Sequence, residues 1–97
     1  MDTEGRMLST FTDVRRPEHL SLDSQGRLLV ADYGKHRILL LTSQLQLQGV
    51  LIDTNSQVKL WGPWRLYYNE HMSRLYVAHR SSESGWRSDM ISVLSLY

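Results

Sequence analysis

Residues 21–41 read SLDSQGRLLVADYGKHRILLL and hold eight leucines, valines and isoleucines around two glycines. A helix through this stretch needs apolar residues three and four apart over eleven or more positions. Instead Leu28–Ala31 and Ile38–Leu41 stand as compact apolar blocks, set off by Ser24–Gly26 and by Tyr33–Lys35. Ahead of them, Leu20 and Leu22 alternate with Ser21 and Asp23, the two-residue period of a strand. Gly26 and Gly34 are expected to supply the positive φ of tight hairpin turns. Blocks that are apolar on successive residues need cover on both faces of a sheet. The stretch therefore reads as strands at 18–23, 27–32 and 36–42, and QLQGVLID adds a fourth at 46–53. This is a four-stranded meander.

The pattern recurs further along. RPEHLSLDSQGRLLVAD, from Arg16, matches GPWRLYYNEHMSRLYVAH, from Gly62, with Pro17 on Pro63 and Leu20 on Leu66 at an offset of 46. Val30 and Ala31 fall on Val77 and Ala78, one residue further apart, and HRILLL at 36–41 falls on DMISVL at 89–94. Upstream, EGRMLSTF is similar to QGVLIDTN in the fourth strand. Four-stranded units repeating at this length point to propeller blades.

The residues Pro17, Asp23, Gly26, Val30, Ala31, Asp32, Gly34, His36, Arg37 and Ile38 together resemble the NHL repeat. That is the β-propeller repeat at the C-terminal end of TRIM-NHL proteins and in some kinases and lyases. The second repeat keeps Pro63, Val77, Ala78 and Ile91, but has His79 where the family has Asp and Met90 where it has Arg. The resemblance implies an all-β fold with one four-stranded blade at 14–56 and a second at 57–97, the latter lacking its own outer strand. Residues 1–13 would supply an outer strand to another blade. NHL propellers close with six blades, and a lone pair would expose apolar faces and unpaired strand edges. Either three copies close a six-bladed ring, or the chain is a piece of a longer propeller. The ring, a homotrimer, is the expectation adopted.

Composition narrows the function. With 97 residues the chain makes one small domain, and 41% hydrophobic with 22% charged residues is a globular mixture. A net charge of +1 leaves attraction to nucleic acid to local clustering. The absence of cysteine removes disulfides, thiolate chemistry and cysteine zinc sites. The acidic start MDTEG and the short apolar runs suit neither a signal peptide nor a membrane span, so a cytoplasmic protein is expected.

No reaction is announced. His19, His36, His71 and His79 lack metal-ligand spacing, and there is no G-x-S-x-G elbow or phosphate loop. No catalytic residue, metal or cofactor is expected. Asp32 and Arg37 read as a cross-turn ion pair. The loops hold Arg15, Arg16, Tyr33, Lys35, His36, Trp61, Trp64, Arg65, Arg80, Trp86 and Arg87, the candidate ligand-binding set. Cations beside aromatics suit phosphates and unpaired bases, and equally suit protein interfaces. The resemblance to TRIM-NHL proteins, whose ligase chemistry sits in a RING elsewhere, implies a platform for RNA or a protein partner. A purely structural self-assembling propeller and an NHL-type lyase relative are the alternatives.

Overall fold

A computed structural model describes residues 5–56, 59–80 and 89–96. Within them the chain is all-β, with two antiparallel sheets. The first has four strands in the order β1 (Pro17–Leu22), β2 (Leu28–Asp32), β3 (Arg37–Leu41) and β4 (Leu47–Ile52). The second has three, β5 (Trp61–Asn69), β6 (Arg74–Arg80) and β7 (Asp89–Ser95). Both are meanders, consistent with partial propeller blades. Among the described residues no helix is long and apolar enough to cross a membrane.

The turns explain the strand limits. Between β1 and β2, Gly26 adopts φ +78°, as its place in the sequence demands. Asp23 organises that turn: its Oδ1 accepts the backbone N–H groups of Gln25 and Arg27 at 2.9 and 2.8 Å, and its Oδ2 takes Arg27 Nε at 2.6 Å. Burial would raise the Asp23 pKa, but these three donors together hold it below its ordinary value. In the second repeat Ser73 takes the left-handed place, at φ 52°.

The turn between β2 and β3 corrects the expectation for Gly34. Tyr33–Lys35 form a single 3-10 turn, and the left-handed residue is His36, at φ 54°. Gly34 is needed for space. A Cβ there would lie 2.7 Å from the Arg15 Cβ.

The two sheets share one register. Leu20 faces Val30 and Val30 faces Leu39, while Leu66 faces Val77 and Val77 faces Ser92. Ala31 faces Ile38 as Ala78 faces Ile91. Residues of β1, β2 and β3 thus map onto β5, β6 and β7 without a slip.

The sheets pack face to face. Leu29, Ala31, Ile38 and Ile52 from the first meet Leu66, Leu75 and Val77 from the second, with Leu60 of the connection buried among them. Burying side chains of this size stabilises by roughly 1.5–3 kcal/mol each. A smaller cluster, Val30, Leu39 and Leu41, lies on the first sheet's other face, where Phe11, Val14 and Leu45 pack against it. Residues 5–14 join no strand in the single chain, and Met7 and Leu8 are exposed. Residues 1–4 of the segment expected to supply an outer strand lie outside the described residues.

Candidate binding rim

The rim forms where the chain enters β1, where β2 turns into β3, and where β5 begins and β6 ends. Its scaffold is the buried carboxylate of Asp32. Oδ1 accepts the backbone N–H groups of Arg15 and Arg16 at 3.1 and 3.4 Å, and Oδ2 takes Arg37 Nε at 2.9 Å. Arg37 also donates to the carbonyl of Asp13, and Lys35 pairs with the Asp13 carboxylate. The hydrogen bond and charge of Lys35 hold the Asp13 carboxyl below its ordinary value. Asp32 and Arg37 therefore form the cross-turn pair read from the sequence, and Asp13 extends it.

The second repeat's departures are coupled. His79 replaces the acid, and Met90, in the place of Arg37, has no ion-pair partner to lose. His79 is fully buried, with Nδ1 at 2.8 Å from the Arg80 carbonyl oxygen and Nε2 at 2.8 Å from Ser92 Oγ. Because a carbonyl only accepts, Nδ1 carries a proton, and Nε2 is hydrogen-bonded to the Ser92 hydroxyl. Neither the acid nor the arginine is present in the second repeat, and His79 bonds Ser92 instead.

Two other histidines join the sheets. His19 Nδ1 accepts the Leu66 N–H at 2.9 Å, and His36 Nδ1 accepts the Gly62 N–H at 2.8 Å. Both rings are thereby held with the proton on Nε2. Trp61 lies edge-on to His36, with ring centroids 4.6 Å apart. Tyr33 completes the seam: Arg80 Nη1 donates to its hydroxyl at 2.7 Å, and Arg16 sits over its ring at 4.7 Å from the centroid. Gly62, at φ +50°, presses against the same ring.

The structure thus gathers Arg15, Arg16, Tyr33, Lys35, His36, Trp61 and Arg80 at one end of the seam between the sheets. It does not bring Arg65 there. Arg65 lies on the outer face of the second sheet, beside Tyr67, Tyr76 and Ile91. Trp64 is half-buried on β5 and joins none of these bonded groups. Trp86 and Arg87 lie outside the described residues. The rim's positive charge is largely answered from within: Arg16 bonds Glu18 at 2.8 Å, Lys35 bonds Asp13, and Arg37 bonds Asp32. Asp13, Glu18 and His19 were not in the candidate set. Their partners are two to 47 residues away, and only the near pair of Arg16 and Glu18 is visible as a local charge pattern. Among the described residues no three His, Asp or Glu side chains gather into a group able to hold a metal.

Residues 14–39 match the NHL repeat family model. The match covers the entry into the first sheet through most of β3, and supports an NHL-repeat family for this segment. No curated protein matches the chain.

Proposed function

We propose that the chain is a non-catalytic recognition and scaffold module of the TRIM-NHL kind, whose blades assemble into a closed six-bladed ring and meet a protein partner at the rim. The observation that carries this is the Arg16–Tyr33–Arg80 stack with Trp61 and His36 beside it. It is a preformed group of arginine and aromatic side chains, the types that dominate interface hot spots. Three of the four histidines are already committed to structural hydrogen bonds, which favours binding over acid–base work. Support for assembly comes from the open edge of β7. It runs beside a groove of about 240 Å3 lined by Leu51, Ile52, Ser92 and Leu94, a place suited to a fourth strand.

The internal pairing of Arg16, Lys35 and Arg37 favours a protein over a polyanion. RNA is the second reading, because Arg16 lies over the Tyr33 ring. A photo-crosslinker in place of Lys35 separates the readings. A protein captured by it, and lost when Arg16 and Trp61 are replaced by Ala, supports the first. Capture of RNA with affinity that falls steeply with salt, abolished by Arg15→Glu, Arg16→Glu and Lys35→Glu together, supports the second. Capture of neither leaves a ring that is structural only.

A further inference from the structure

Each sheet turns one face to the other and leaves its second face outside that contact. On β5–β7 the uncovered face carries Tyr76, Ala78, Ile91 and Val93, with Ile91 77% and Val93 55% exposed. In the shared register these residues stand where Leu29, Ala31, Ile38 and Leu40 stand in the first sheet, and those four pack into the contact between the sheets. On β1–β4 the second face carries Leu20, Leu28, Val30 and Leu41; Leu20 is 55% exposed, while Val30 and Leu41 are buried beneath Phe11, Val14 and Leu45. They stand where Leu66, Leu75, Val77 and Leu94 stand in the second sheet, and those four also pack into that contact. Each free face is the counterpart of the other sheet's buried face.

The geometry points to a docking of the free face of β5–β7 onto the free face of β1–β4 of a second copy, repeating the contact that joins the two sheets within one chain. This rests on reading the sheets as successive blades. Docking displaces Phe11 and Leu45, which pack on that face of the first sheet, but not Val14, which packs there too. Its counterpart at the offset of 46 is Leu60, which lies fully buried inside the internal contact.

Charge agrees with the docking. Asp89 stands in the place of His36, and Arg16 in the place of Gly62. His36 and Gly62 are bonded within the chain, so docking brings Asp89 of one copy to Arg16 of the next, an acid to a base. One stitch is lost: Arg65 stands in the place of His19 and has no atom to accept the Leu20 N–H. The interface is heterologous, head to tail, so it grows until it closes.

The two faces can be broken separately. Ile91→Glu damages only the β5–β7 face and Leu20→Glu only the β1–β4 face, and both side chains are exposed in the single chain. The wild-type chain is expected to assemble in gel filtration with light scattering, and each variant alone to run as a monomer. An equimolar mixture should form a one-to-one dimer, because one intact face of each kind remains. Val93→Lys and Leu22→Lys form a second pair, used if far-UV circular dichroism shows that the first has not folded. Loss of assembly in only one member of a pair, a mixture that stays monomeric, or a monomeric wild type overturns the inference. Any of these leaves the rim reading standing, because the rim cluster lies within a single chain.

Discussion

Asp32 divides one buried carboxylate among the Arg15 and Arg16 amides and the Arg37 guanidinium, and so fixes the entry to β1 against the turn after β2. Arg37 is itself mostly buried. Replacing Asp32 by Ala therefore removes the Nε partner of a mostly buried cation and orphans two amides, at a cost of about 3 kcal/mol in urea denaturation. The Asp32→Ala, Arg37→Ala double variant should lose less than the sum of the two single losses, because no unpaired ion remains. Asp23 carries the pH dependence at this scale. Its folded pKa lies below the ordinary value of 3.8, so its stabilisation is full above that value and is lost as pH falls through the folded pKa. The stability gap between wild type and Asp23→Asn should hold from neutral pH to about pH 4 and shrink as pH falls further. A gap independent of pH would remove the carboxylate from the account of the turn.

The seam between the sheets hangs on Gly62, which needs φ +50° and leaves no room for a Cβ: one would lie 2.9 Å from the Tyr33 ring. Gly62→Ala should cost about 1–3 kcal/mol and lower the melting temperature. His36→Ala should cost about 1–3 kcal/mol by orphaning the Gly62 amide, and far less if water replaces the imidazole there. The first sheet was legible because turn residues bound each apolar block. The second was legible because its ladder repeats the first. The turn at Gly34 was misread because a 3-10 turn passed the left-handed conformation to His36, a distinction no local composition marks. Leu20 and Leu22 show the correct strand period, but period alone cannot say that their face lies open in the single chain. The spacing of His19 and His36 speaks against a metal site and does not reveal their partners. Their bonds to Leu66 and Gly62 cross from one sheet to the other, at separations of 47 and 26 residues.

For the whole molecule, two sheets in one register bury half of what successive blades bury and leave matching faces at either end. The cysteine-free, weakly charged composition said that the chain was globular, and the repeat said that it was half of a larger pattern of contacts. Neither told which residues share a rim, because that depends on the sheet-to-sheet contact that places Arg80 beside Tyr33. On the ring proposal, in which residues 1–13 supply an outer strand to another blade, deleting residues 1–12 should uncover the edge of β7 and cause aggregation, read by light scattering. The most direct measurement is the solution mass by light scattering at micromolar concentration. The account predicts a closed assembly of three chains, three times 11.3 kDa, holding six blades. A well-folded particle of 11.3 kDa that stays monomeric as concentration rises would contradict it.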